Sequence, residues 1–279
     1  MNEALGESTP DAGREVELFE KNLPLRIQLH EVLGFLGNTR GKLCLDIGAE
    51  NGLTSYHLRR HGGQWHSIAG DASRTPIVRQ LVKDNVHEFS NDALPFEDKL
   101  FDTVLVLNFL EKLDNDAAFA GECHRILKPD GMLIVTTART KKAGLLRMME
   151  NVFGLLPEAR GLARPGYTES RLFSVLKNGF DVCQVKTYSR FFTEFVRLIM
   201  ACLEKRKVRQ GQTGASLDRL RTAGNIFYNI ASQLDLLLFF TKGHYQVAKA
   251  KRRGWRPRET PVLTDGRSIS EAVLRKAAE

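Results

Sequence analysis

From Lys42 onward the chain alternates between two patterns. Short, nearly continuous apolar runs mark strands buried on both faces. Between them lie stretches whose apolar positions recur every three to four residues, as on one helix face. Strands are predicted over Lys42–Ile47, Trp65–Gly70, Val86–Ser90, Phe101–Leu107 and Met132–Thr137, then over Asp181–Tyr188 and Tyr245–Ala250. Helices are predicted over Leu53–His61, Thr75–Lys83 and Asp116–Leu127, the last stopped by Pro129 and Gly131. A helix over 17–36 precedes them, with Pro24 as a kink or as its true start and Gly37 as its end. Further helices are expected over Ala143–Phe153 and Glu169–Lys177, and two long ones over Phe191–Arg206 and Leu217–Phe240, with a short one at Ser270–Ala277.

Strands alternating with helices of about ten residues imply a parallel sheet covered on both faces. Right-handed crossovers then give an α/β, doubly wound sheet whose ligand lies at the carboxyl ends of the strands. The division expected is a disordered, polar segment over 1–14, one α/β domain over 15–250 with a helical insertion at about 191–240, and a basic tail over 251–279.

At 279 residues and 42% hydrophobic, the chain can build one large core. The most apolar stretch, Asn225–Phe240, is broken by Asn229, Gln233 and Asp235, so it is no membrane span. The first twenty residues are acidic and polar, unlike a secretory signal. The expected location is therefore the cytoplasm, or the inner face of the membrane. Cys44, Cys123, Cys183 and Cys202 are too widely spaced for a C-x-x-C pair, so no metal or disulfide is expected.

The net charge of +8 adds a question of partners. It permits nucleic acid, an anionic membrane or a phosphorylated substrate. The positive charge gathers in 197–222 and again from Lys251 to Arg258.

The candidate chemistry begins after the first strand, at Asp46-Ile47-Gly48-Ala49-Glu50-Asn51-Gly52. Gly48 and Gly52 allow a tight turn and close approach of a ligand to the main chain. The dinucleotide fingerprint would need glycine at 50 and glycine or alanine at 53, where this chain has Glu50 and Leu53. Two carboxylates, Asp46 and Glu50, also repel a pyrophosphate, whereas they suit the ammonium and sulfonium of S-adenosylmethionine. Asp71 ends the second strand, where an acid accepts from both hydroxyls of an adenosine ribose. Asp92 and Ala93 follow the third strand, and a carboxylate there can accept from an adenine amino group. Each acid alone is most simply a cap or turn residue; the argument lies in their placement at successive strand ends.

As a set, Asp46-x-Gly48-x-x-x-Gly52, Gly70-Asp71, Asp92-Ala93-Leu94-Pro95-Phe96, Phe101-Asp102, Leu110-Glu111-Lys112-Leu113 and Glu122 through Gly131 (ECHRILKPDG) resemble the methyltransferase type 11 family of class I S-adenosylmethionine-dependent methyltransferases. The resemblance covers about residues 40–137. It implies a seven-stranded, mostly parallel, Rossmann-like sheet with the seventh strand reversed, and S-adenosylmethionine as cofactor. It implies that Asp46, Gly48, Ala49, Glu50 and Gly52 surround the methionine part, Asp71 the ribose, Asp92 and Ala93 the adenine, and that Asn108 lines the floor of the pocket. The chain departs from the family at Glu50, where the loop has a middle glycine, and at Lys112, where a histidine is common.

A sulfonium is already an activated methyl donor, so such an enzyme mainly aligns the acceptor and excludes water. An oxygen acceptor would need a base. His124, Tyr167 and Tyr188 are candidates, His124 being expected to be structural, and none is assigned as catalytic. The N/D-P-P-Y/F motif that presents a nucleobase amine is replaced by Asn108-Phe109-Leu110, which disfavours nucleic acid as substrate.

The expected acceptor is a small hydrophobic or lipid-linked molecule. The apolar helices of the insertion read as a lid on the core, as a face docking on an anionic membrane or admitting a lipid-like acceptor, or as a homodimer contact. The chain is thus expected as monomer or homodimer. Two other functions stay open: a weakly catalytic, cofactor-binding interaction protein, suggested by Glu50, and an RNA-modifying methyltransferase, suggested by the basic segments alone.

Overall fold

The computed structural model describes residues 22–49, 52–89, 93–140, 148–149, 162–212 and 215–256. In chain order these form α1 (Leu23–Leu36), β1 (Leu43–Ala49), α2 (Leu53–His61), β2 (Gln64–Ala69), α3 (Thr75–Val82) and β3 (Val86–His87). There follow β4 (Phe101–Leu107), α4 (Asp116–Ile126), β5 (Leu127–Ala138), α5 (Glu169–Leu176), β6 (Phe180–Tyr188), α6 (Phe191–Arg209), α7 (Ala215–Leu237) and β7 (Tyr245–Arg252). The helix predicted over Ala143–Phe153 lies outside the described residues except at Met148 and Met149, as do residues 1–14, most of the basic tail and the helix predicted at Ser270–Ala277.

The strands form one seven-stranded sheet in the order β3-β2-β1-β4-β5-β7-β6. β7 runs antiparallel to both of its neighbours, and the other pairings are parallel. The carboxyl ends of the other six strands therefore share one edge of the sheet. The chain winds from β1 outward through β2 and β3, then returns to β4 and winds the other way. That reversal opens a crevice at the carboxyl ends of β1 and β4.

Alternation along the strands sorts side chains into two layers. Val104 and Val106 join Leu45, Ile47, Phe119, Leu133 and Leu172 on one face. Leu105 and Leu107 join Cys44, Ile134 and Val247 under Val32, Phe35 and Leu36 of α1 on the other. Asn22 caps α1, its side chain accepting from Leu25 N at 3.3 Å, with Pro24 in the first turn. Pro24 thus sits where a helix leaves amide groups without internal partners, which is where proline is tolerated.

β5 starts earlier than the apolar run suggests. Leu127 pairs with Phe101, and the register then shifts before Met132 pairs with Thr103. Pro129 and Asp130 (φ +63°) make this detour.

The insertion between β6 and β7 is a helical hairpin of α6 and α7. Its base is pinned by Asp235, buried near the end of α7, whose carboxylate accepts from the backbone N–H groups of Arg190, Phe192 and Thr193 at 2.8–3.3 Å. A carboxylate at a helix start satisfies amides that have no intrahelical partner and suits the local dipole. The expectation of a lid packed on the core holds for half of the hairpin only. Leu198, Met200, Tyr228 and Ala231 are buried, while Ile226, Phe227, Ile230 and Leu237 face outward.

Candidate functional site

At the end of β1 the chain turns through Gly48, with φ +97°. A Cβ there would stand 2.3 Å from the Leu107 carbonyl oxygen and 3.2 Å from Phe109 Cβ. Only glycine lets β1 and β4 close so tightly in this left-handed region. Gly52 (φ +76°) then starts α2, whose Thr54 and Ser55 lie on the crevice.

The crevice holds a cavity of about 190 Å³. Gly48, Ala49 and Gly52 supply one wall, Thr54 and Ser55 the start of α2, Leu107 and Asn108 the end of β4, and Leu25 and Gln28 of α1 the lid. Of the residues expected around a methionine moiety and at the pocket floor, Gly48, Ala49, Gly52 and Asn108 are brought together here. Asn108 is in the left-handed region (φ +45°). Its N–H donates to the Thr136 carbonyl at 3.0 Å, and the Thr136 hydroxyl donates to Asn108 Oδ1 at 3.3 Å while accepting from Gln28 Nε2 at 3.2 Å. This chain of side-chain bonds fixes the floor. Gln28 and Thr136 escaped the sequence reading. Gln28 gave no distinct signal, since Arg26, His30 and Glu31 share its helix.

Asp46 does not line this cavity. It is fully buried, and it accepts from Ser67 Oγ at 2.7 Å and from Ser55 Oγ at 2.5 Å, with Arg59 Nη1 at 3.9 Å. Burial pushes its carboxyl above the usual range, and the two hydroxyls and Arg59 pull it back. Its contact with the pocket runs through Ser55, which both bonds Asp46 and lines the cavity.

Asp71 follows β2 in extended conformation and is exposed. The adjacent Gly70 N–H donates to the Ala49 carbonyl at 2.8 Å, which holds this strand end against the loop. The Ser73 hydroxyl donates to Asp71 and holds its carboxyl below the usual carboxylate range. An ionised, exposed acceptor thus stands next to the crevice. Ala93 is also exposed. The stretch after it is anchored by Arg125, which donates to the carbonyls of Leu94 and Phe96 and pairs with Glu122 and Asp98. Glu50 and Asp92 lie outside the described residues.

The base candidates fall in different places. His124 Nε2 lies 2.7 Å from the Arg253 carbonyl, and its ring packs edge-on against Phe180 and Trp255, so it ties the chain after β7 to α4. Tyr167 is fully buried, its hydroxyl 2.9 Å from Asp116 Oδ2 and 3.1 Å from the Leu110 carbonyl; burial and Asp116 push its phenol up. Tyr188 is buried too, with a hydroxyl that makes no hydrogen bond, and its ring stacks on Tyr245 at 5.6 Å.

Glu111, quoted in the sequence with no role, is 2% exposed. One carboxylate oxygen accepts from Ala138 N at 2.5 Å, and the other is buried with no hydrogen-bond partner. Burial pushes its carboxyl up to about 7.

A second cavity, of about 650 Å³, opens at the carboxyl end of β6. Tyr188, Ser189 and Arg190 meet Leu23, Ile27 and His30 of α1 there, with Thr193 of α6 and Ser232 and Leu236 of α7 opposite. Helix α1 thus walls both cavities.

Residues 45–135 match the family model described as a methyltransferase domain. Among curated proteins, a demethylmenaquinone methyltransferase of Tropheryma whipplei (strain Twist) is 34% identical over 107 residues, covering 36% of this chain and 43% of that one. A ubiquinone biosynthesis O-methyltransferase of Maricaulis maris is 29% identical over 150 residues, covering 50% and 58%. The chain therefore spans about half the length of the curated relatives it matches. Among solved structures, geranyl diphosphate C-methyltransferase from Streptomyces coelicolor A3(2) aligns with a TM-score of 0.54 at 12% identity, covering 81% of this chain and 78% of that one, which shows a common fold. By that match residues 45–135 are a methyltransferase domain, and the strand order with its reversed seventh strand is the fold shared with the solved methyltransferase structure.

Proposed function

We propose that the chain transfers the methyl group of S-adenosylmethionine to a small hydrophobic acceptor of the quinone kind. The observation that carries this is helix α1, which walls the crevice at β1 and β4 on one side and the 650 Å³ cavity at β6 on the other. Both cavities open on the carboxyl edge of one sheet, where α/β folds bind ligands. The names of the two curated relatives point to quinone acceptors.

In this reading Gly48, Ala49, Gly52 and the start of α2 receive the methionine part over the Gln28–Thr136–Asn108 floor. Asp71 accepts from the ribose hydroxyls, and the segment around Asp92 and Ala93 flanks the adenine. When bound, S-adenosylmethionine supplies an electrophilic methyl group on a sulfonium. Leu25 and Leu107 keep water from that point, and α1 with the α6–α7 hairpin holds the acceptor.

Asp71→Ala is expected to weaken binding of S-adenosylhomocysteine about tenfold or more, because a charged acceptor of two hydroxyls is lost. Calorimetric titration checks this, with an unchanged melting curve showing that the exposed side chain does not support the fold. The acceptor is tested with methyl-labelled S-adenosylmethionine and a panel of hydroxylated and ring-unsubstituted prenylquinones. Label in the organic extract is the expected outcome. Label in added RNA, or in nothing across the panel, would count against the proposal.

A further inference from the structure

The outward face of α7 is a ridge of apolar side chains. Ile226 (64% exposed), Phe227, Ile230, Leu234 and Leu237 (69%) fall on one face at helical spacing. Phe239 (78%) and Phe240 (73%) extend it past the helix end. A continuous exposed ridge of this kind marks a binding surface.

Charge indicates what covers it. Residues 190–242 hold nine lysines and arginines against four acids. Two of those acids, Glu194 and Asp235, are buried, and Glu204 is engaged by Arg221 Nε at 2.9 Å. Arg206, Arg209 and Arg219 are exposed, while Lys242 Nζ is paired with Glu169 at 2.8 Å. Arg219 lies on the ridge's own face, about two turns before Ile226. A second copy of the hairpin would bring like charges together. An anionic bilayer accepts both the apolar side chains and the cations beside them.

We propose that α7 and Phe239–Phe240 dock the chain on an anionic lipid surface, with the ridge in the interface and Arg206, Arg209 and Arg219 on the headgroups. Among the described residues no helix is long and apolar enough to cross a membrane, so the contact is peripheral. Leu236 is exposed on the same helix and also lines the 650 Å³ cavity, so docking sets that cavity beside the lipid. The docking does not depend on methyl transfer.

The test is flotation of the full chain with vesicles of phosphatidylcholine, alone or mixed with phosphatidylglycerol. Binding is expected only to the mixed vesicles, weakened about tenfold or more in the double variant Phe227→Ser/Phe240→Ser and in Arg209→Glu/Arg219→Glu. Titration with S-adenosylhomocysteine on the same variants should be unchanged, which separates loss of docking from loss of fold or cofactor. No flotation with anionic vesicles near physiological salt would overturn the proposal, as would full binding by both variants. A doubled solution mass that the serine variant abolishes, without vesicle binding, would assign the ridge to a second copy instead.

Discussion

Gly48→Ala is expected to reduce binding of S-adenosylhomocysteine by about a hundredfold or more. The added Cβ would stand 2.3 Å from the Leu107 carbonyl oxygen, a backbone atom that cannot rotate away. The residue would also remain at φ +97°, where an L side chain costs about 1–3 kcal/mol. Relief requires the end of β1 to move away from β4. That movement widens the crevice and displaces Asn108, whose backbone and side chain close the pocket floor through Thr136. A hundredfold loss is about 2.7 kcal/mol, within the strain that such a clash imposes. Calorimetry measures the affinity, and thermal melting reports a modest fall in stability from the same displacement. Retained affinity within a few-fold would mean that the ligand does not approach the main chain at Gly48.

Glu111→Gln is expected to stabilise the protein at alkaline pH and to have little effect near pH 4.5. The unfolded chain releases the Glu111 proton near the ordinary value of 4.5, whereas the folded chain holds it up to about 7. Between these values the folded state binds more protons, so the stability contributed by this group falls as pH rises and stays low above 7. Ionisation leaves a charge whose second oxygen is buried without a partner. The full interval corresponds to about 3 kcal/mol. Glutamine retains the acceptor for Ala138 N and never ionises, so it reproduces the protonated form at every pH. Denaturant unfolding at pH 5 and pH 8 is the check: the variant should gain on the native protein by about 2–3 kcal/mol between the two. Parallel curves at both pH values would show that Glu111 ionises in the fold at no cost.

Much of the fold is legible in the chain because the strong signals are local. The helix Leu53–His61 and the strand Phe101–Leu107 follow from periodicity and an apolar run, and the structure gives them the same bounds. Alternation of strands and helices leads to the parallel sheet, and the family pattern adds the reversal of β7. Several motif residues turn out to be structural fasteners. Arg125 anchors the stretch after Ala93, Lys128 pairs with Asp102, and the Asp102 carboxylate also accepts from Leu43 N at 2.9 Å.

What escaped the chain depends on distant partners. Nothing near Asp46 in sequence tells that Ser55 and Ser67 will surround it, so an acid at a strand end reads as ligand-facing. Gln28 and Thr136 are 108 residues apart and acquire meaning only through each other. The sequence left the apolar face of α7 open between a lid, a membrane contact and a dimer contact for a related reason. Periodicity places apolar residues on helix faces, but it does not say which face finds the core.

The central claim, a cofactor site at the end of β1, is tested most directly by calorimetric titration of the unaltered full chain with S-adenosylhomocysteine. The account predicts one site per chain with micromolar affinity. A folded chain that takes up none would contradict it.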